Sequence, residues 1–348
     1  MNGHRHDTPR AAALCLVAAL LFGVSTPLAK EFLRSADPLT LAGLLYLGGA
    51  LAVLPVSLRG TSRALVRAPR EILMLAGAVV FGGILGPVLL LFGLRAAAAG
   101  SVSLWLNLET VATALLAAAL FREHLGRRVL GAIALLLAGG LVLALPFDAG
   151  STRAALLVTA ACVCWGLDNN CTALIAGYTP AQTTLIKGLV AGACNLTLGR
   201  LTGGTFPEWP IVGGALLVGA LAYGASILLY IQGAQMIGAT RSQFLFSTAP
   251  YFGLIAAWTV FRESVLPAQV VAATVMAGGI ALLLTGSHAH DHEHEAAEHT
   301  HEHRHDDGHH DHAHPGLAPG ARHTHPHEHA PLVHAHPHAP DLHHRHGH

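Results

Sequence analysis

The chain has 348 residues, 52% of them hydrophobic and 11% charged, and its formal charge at pH 7 is zero with His neutral. Soluble domains carry about 25% charged residues, so this chain lacks the polar surface to cover a water-soluble fold and points to lipid. The neutrality hides a division: residues 1–286 carry a net charge of +7, while residues 287–348 carry −7 and 23 of the 26 His. An apolar body and a polar His-rich tail therefore need separate readings.

Taken in order, residues 1–10 form a short N-terminus with Arg5 and Arg10. Apolar runs of the ~20 residues that a bilayer-spanning helix needs follow near 11–29, 39–58, 72–94, 101–121, 129–147, 154–176, 182–200, 211–233, 239–261 and 266–285. The first run resembles a signal peptide, but nine similar segments follow it, and Lys30-Glu31 closes it as a membrane boundary would. Breaks such as Asp37-Pro38, Arg59–Arg70, Asp148–Arg153 and Thr179-Pro180 separate the runs. Backbone groups in lipid must bond within their own segment, and the runs lack the period of two that a barrel would show, so ten helices are expected. The five cysteines all lie in these runs without a CxxC pair, which excludes a disulfide framework or zinc ribbon. No uniform basicity marks a nucleic-acid groove.

Arg59, Arg63, Arg67 and Arg70 in one loop, and Arg122, Arg127 and Arg128 in another, lie on the same side as Arg5 and Arg10. The excess of positive charge assigns that side to the cytoplasm, and ten spans return the C-terminus to it. The body also repeats: Gly93 to Glu123 aligns with Gly233 to Glu263 at an offset of 140, each ending Phe-Arg-Glu. Five helices per copy is odd, so the second copy enters the membrane upside down, the inverted architecture of secondary transporters with a site at the midplane. The expected fold is an all-α membrane protein of ten transmembrane helices in two inverted five-helix repeats, residues 11–147 and 148–286. A disordered His-rich cytoplasmic tail, residues 287–348, follows.

These repeats, each with an acidic residue closing its fourth helix, resemble the drug/metabolite transporter superfamily, EamA type. Phe22-Gly23-Val24-Ser25-Thr26-Pro27-Leu28-Ala29-Lys30 and Phe246-Ser247-Thr248-Ala249-Pro250 read as members of that group would. The resemblance covers residues 11 to about 285; where members often place Gly before the closing Glu, this chain has Arg122 and Arg262. It implies a permease that moves small metabolites, often outward.

Ionisable groups inside spans are expensive and default to functional candidates. Glu109, Asp168 and Lys187 are the three here, and Lys187 paired with Glu109 or Asp168 is the natural ion pair. A carboxylate among them is the candidate proton carrier. Ser25 and Thr26 of the first span align with Asp168, Asn169 and Asn170 of the sixth, and Asn107 and Gln243 are further candidates for the substrate or coupling-ion path. Trp105, Tyr223, Tyr230 and Tyr251 are expected as walls, and Glu123 and Glu263 as caps of helix ends or holders of loops.

In the tail, dense His, acid and Pro leave nothing to build a core, so disorder is expected. The His alternate: 288, 290, 292, 294; then His299, His301, His303 and His305; His323, His325, His327 and His329; His334, His336 and His338; and His344, His346 and His348. Residues i and i+2 of an extended chain face one way, so His288, His290, His292 and His294 begin a strip suited to Ni, Zn, Co or Cu.

The leading expectation is a multi-pass inner-membrane transporter, not an enzyme, with both termini cytoplasmic and no required cofactor. It would export a small organic metabolite by proton exchange while its tail binds divalent transition metal as regulator or buffer. One alternative makes Ni, Co or Zn the cargo collected by the tail; another is a membrane-anchored metal store. Expected partners are the bilayer, a small-molecule substrate and divalent metal ions, with no nucleic acid; a homodimer is left open.

Overall fold

The computed structural model describes residues 7–59, 69–121, 125–145, 149–284, 288–294, 297–303, 323–329 and 332–338. The chain divides into two compact units, Met1–Thr285 and Gly286–His348.

The first unit is helical. Its helices are α1 (Asp7–Phe32), α2 (Pro38–Arg59), α3 (Pro69–Gly77), α4 (Gly86–Ala96), α5 (Ala99–Trp105), α6 (Leu108–Phe121) and α7 (Arg127–Ala144). Then come α8 (Ala149–Thr172), α9 (Pro180–Leu201), α10 (Trp209–Gly219), α11 (Ser226–Ile237), α12 (Ala239–Phe246), α13 (Ala249–Thr259) and α14 (Pro267–Leu284). Two π-helical segments, Ala78–Leu85 and Ala220–Ala225, join α3 to α4 and α10 to α11. Helix starts follow local chemistry. Asp37 Oδ2 accepts from the Leu39 and Thr40 amides ahead of α2, and Thr179 with Gln182 forms a capping box ahead of α9.

Among the described residues, seven helices are long and apolar enough to cross a membrane. They are Pro9–Phe32, Pro38–Arg59, Pro69–Ala96, Ala99–Phe121, Arg127–Ala144, Ala149–Thr172 and Trp209–Ile237. The sequence expectation was ten. The other three regions are helical too, but α9 carries Lys187, Asn195 and Arg200, the α12–α13 region breaks at Ser247-Thr248, and the apolar helix of α14, Pro267–Leu283, is shorter than the seven. Large apolar side chains lie on the outside, including Leu58, Leu201 and Trp209 at 75%, 78% and 80% exposure. A water-soluble surface does not expose so many, whereas lipid accepts them.

Pairs of helices build the interior: α1 packs on α11 and α13, α8 on α4 and α6, α2 on α9, and α7 on α14. The α2–α9 crossing is close because Gly188 and Gly192 have no side chain; a Cβ at Gly188 would stand 2.8 Å from the Tyr46 carbonyl oxygen.

In the second unit, β1 (His288–His294) pairs antiparallel with β4 (Leu332–His338), and β2 (Ala297–His303) with β3 (His323–His329). The sequence expectation here was disorder. The same alternation that spaces the His also suits an extended strand, and the described parts of the tail take that form. Opposite residues are His288 and His338, His290 and His336, His292 and His334 in one ladder. In the other they are His299 and His327, His301 and His325, His303 and His323.

Candidate functional site

The three intramembrane charges meet at α8. Asp168, near the end of α8, is 5% exposed, and its Oδ2 lies 2.6 Å from Lys187 Nζ on α9. Thr172 donates to the other oxygen, Oδ1, at 3.0 Å. Of the two pairings that the sequence allowed for Lys187, this is the one formed. Glu109 instead accepts from Asn169 Nδ2 at 2.9 Å, and the same nitrogen reaches Thr113 Oγ1 at 3.2 Å. Glu109 sits in the first turn of α6, just past the interruption at Leu106-Asn107. Glu109 is half-buried and Asn169 is exposed, whereas Asp168 is buried.

Backbone packing explains the geometry. Gly166 lets α8 approach α6, since a Cβ there would lie 3.0 Å from the Ala112 backbone. That approach also lets Asn170 Nδ2, which donates to the Gly166 carbonyl one turn back in its own helix at 2.7 Å, reach the Thr113 carbonyl on α6 at 3.3 Å. Gly82, inside the first π-helical segment, leaves room for the Asp168 carboxylate, which a Cβ at this position would overlap. The π turn also presents carbonyls to neighbours. Tyr46 and Trp165 both donate to the Gly82 carbonyl, and Asn195 Nδ2 donates to that of Gly83 at 3.1 Å.

The remaining expected residues are dispersed. Ser25 and Thr26 are buried in α1, and Ser25 Oγ bonds the Phe22 carbonyl at 2.6 Å. Asn107 Nδ2 bonds the Leu104 carbonyl at 3.0 Å. Gln243 accepts from Tyr230 at 2.9 Å. Tyr46, Tyr223, Phe22, Phe246 and Tyr230 form one row of rings with successive centroids 5.0–5.9 Å apart. Trp105 is buried and bonds the Gly140 carbonyl at 2.9 Å. Tyr251 bounds a separate cavity of about 270 Å³ with Ser247, Thr248, Ala277, Ile280 and Ala281.

Sequence reasoning did not single out Tyr46, Thr113, Trp165 or Thr172. Each lies in an apolar run and is distinguished only by a contact, made to a remote segment by Tyr46, Thr113 and Trp165 and one turn back in its own helix by Thr172. Glu263 caps a helix start, as expected, whereas Glu123 lies outside the described residues. Among the tail His, the six cross-strand pairs, His294 and His329 lie on described strands; His305, His344, His346 and His348 lie outside the described residues. No group of three or more His, Cys, Asp or Glu arranged to hold a metal occurs among the described residues.

Comparison with known proteins decides the class. A profile of the EamA-like transporter family matches residues 9–145 and again residues 152–285. The chain belongs to the EamA-like transporter family. An uncharacterized transporter of Methanothermobacter thermautotrophicus (strain Delta H) is 26% identical over 294 residues, covering 77% of this chain and 84% of its own. A solved crystal structure shares the fold, with a TM-score of 0.60 at 18% identity, over 80% of this chain and 98% of that one. The EamA match ends where the His-rich tail begins, so the site residues all belong to the family body and the tail stands apart. The boundary between the two matches falls between Glu109 and Asp168, so both segments contribute to the cluster.

Proposed function

We propose that this EamA protein exports a small organic metabolite in exchange for protons. In this reading ten spans form two five-helix halves of opposite orientation in the plasma membrane, with both termini cytoplasmic. The observation that carries it is the Asp168–Lys187 ion pair, whose side chains are 7% and 19% exposed, beside a second carboxylate, Glu109, held by Asn169. An isolated charge at the bilayer centre costs about 2.5–3.5 kcal/mol. A purely structural pair can often be replaced by packed apolar residues without loss. A charged pair that also adjoins Glu109, Asn169 and Thr113 suits a site where charge is exchanged with a solute.

In this reading Glu109 is the proton carrier: ionised, it holds the Asn169 amide by a charge-assisted bond; protonated, it accepts more weakly, and Asn169 can turn to a substrate. Lys187 and Asp168 offer one charge of each sign to polar ends of that substrate, and Ser25, Thr26, Asn107, Asn170 and Gln243 line the path.

The inverted plan is supported by features that recur about 140 residues apart. The π-helical segments begin at Ala78 and Ala220, and the interruptions fall at Leu106-Asn107 and Ser247-Thr248. The packing of α1 on α11 and α13 is mirrored by that of α8 on α4 and α6.

The tail is read as a binder of nickel, zinc, cobalt or copper that buffers or regulates. The opposition of three His to three His in each ladder supports this, since opposite residues of an antiparallel pair have Cα atoms only ~4.5–5.5 Å apart and imidazole suits these ions.

A deletion strain complemented with the wild type, with Asp168→Asn or with a chain ending at residue 286 tests the whole reading. Wild type and the shortened chain are expected to relieve the toxicity of metabolite analogues, and Asp168→Asn is not. Relief of metal toxicity that requires both body and tail would make the metal the cargo. Full activity of Asp168→Asn would overturn the site.

A further inference from the structure

Glu263 makes contacts that the proposed site does not use. It follows α13 in a turn where Arg262 has φ 56°, a left-handed conformation uncommon for a residue with a side chain. The Glu263 amide donates to the Ala257 carbonyl at 2.9 Å, and the turn directs the carboxylate away from its own helix. Oε1 accepts from the Ala99 amide at 2.9 Å and Oε2 from the Gly100 amide at 3.0 Å, in the first turn of α5. Lys30, near the end of α1, stands 4.0 Å from Oε1 and donates to the Ala97 carbonyl. One carboxylate and one ammonium thus join three segments that are remote in sequence.

Their surroundings set these contacts apart from a fixed brace. The neighbouring brace is Gln269, fully buried, which accepts from Trp258 at 2.8 Å and from the Leu266 amide at 3.2 Å and donates to Ser101 at 3.0 Å. Lys30 and Glu263 keep 30% and 19% side-chain exposure, so water can take over their bonds when they part. Glu109 lies ten residues past Ala99 along the same span, a distance of ~15 Å at 1.5 Å per helical residue. Between them every residue of α5 is buried.

We infer that Glu263 and Lys30 form a releasable latch that closes the pathway where α1, α5 and α13 meet, and that its release opens the pathway at that end. The inference rests on the proposed transport pathway. The test uses the full chain in lipid nanodiscs and sealed vesicles, with Glu263→Ala and Lys30→Met variants. Hydrogen exchange of peptides over residues 95–105 reads the latch itself. Alkylation of Ser25→Cys by a membrane-impermeant thiol reagent, in a chain whose five cysteines are replaced by alanine, reads the pathway from the face that carries the 260–263 turn.

Glu263→Ala is expected to speed exchange over 95–105 by roughly tenfold or more, the loss of two charge-assisted bonds, while α2 keeps its protection. Ser25→Cys is expected to label several times faster from that face, and Lys30→Met to act in the same direction more weakly. Faster exchange without faster labelling overturns the latch and leaves an ordinary helix cap. Loss of protection across all helices, or no change in either reading, also overturns it. If Glu263→Ala does not fold, Glu263→Gln, which keeps a single acceptor oxygen, carries the same expectations at smaller size. Failure of the transport reading itself would be seen elsewhere, as unaltered activity of Asp168→Asn.

Discussion

Helices α5 and α12 begin 140 residues apart, at Ala99 and Ala239, and hold equivalent places in the two EamA segments. All seven residues of α5 are buried, whereas α12 exposes Arg241 and Gln243. Their sequences account for this. Ala-Gly-Ser-Val-Ser-Leu-Trp offers small residues and one indole with an internal partner, so neighbours can close around it. Ala-Thr-Arg-Ser-Gln-Phe-Leu-Phe places long polar side chains where such closure would strand them without water. A similar contrast holds deeper in the bundle: Ser25 of the first segment aligns with Asp168 of the second, so a neutral hydroxyl faces the role that a paired charge fills in the other copy. The two EamA segments therefore share a layout while matching positions differ in chemistry, a neutral hydroxyl at one and a paired charge at the other.

The largest expected effect comes from that charge. Asp168→Asn or Lys187→Met alone strands a buried partner, at a cost of about 3–5 kcal/mol, and should abolish transport and lower the thermal unfolding midpoint. The double variant Asp168→Asn/Lys187→Met should regain most of the stability without transport. Flux through the double variant at wild-type rates would erase the functional difference between the copies. A smaller effect is expected at Gly82, where a methyl group must push into the Asp168 carboxylate. Gly82→Ala should cost about 1–3 kcal/mol by overpacking, with reduced transport. Gly213→Ala serves as its control, because a Cβ there meets nothing within 4 Å; it should be neutral or stabilising by under about 1 kcal/mol. The smallest effect is expected from ending the chain at residue 286. The two units are compact separately, so calorimetry should find the helical midpoint unchanged within about 1 °C while bound metal per chain, measured by mass spectrometry after dialysis, falls to background.

Much of this was legible in the sequence because lipid imposes a coarse rule: runs of about 20 apolar residues become helices. The expected bounds for α2, for the span made of α5 and α6, and for α7 lie within a few residues of those found. The rarity of charge inside the runs likewise exposed Asp168, Lys187 and Glu109 as candidates. Which acid pairs with Lys187 was open, because helix spacing along the chain does not determine which faces meet. The π-helical segment Ala78–Leu85 left no mark either, since Ala-Val-Val-Phe-Gly-Gly-Ile-Leu is as apolar as any ordinary span. Nor could hydropathy join Glu263 to the Ala99 amide across 164 residues. In the tail, low hydrophobicity argues for disorder over residues 287–348, and in its described segments the alternation of His places them opposite one another in paired strands.

The volume shared by Asp168 and the bare Cα of Gly82 has a consequence for how such a protein can diverge. Two positions on separate helices are tied as lock and filler: only a chain that shrinks the acid can gain a side chain opposite it. The residue at 82 is then a marker for a carboxylate 86 positions away. A relative with alanine or valine there should have surrendered the acid, and with it the ion pair to the lysine at 187.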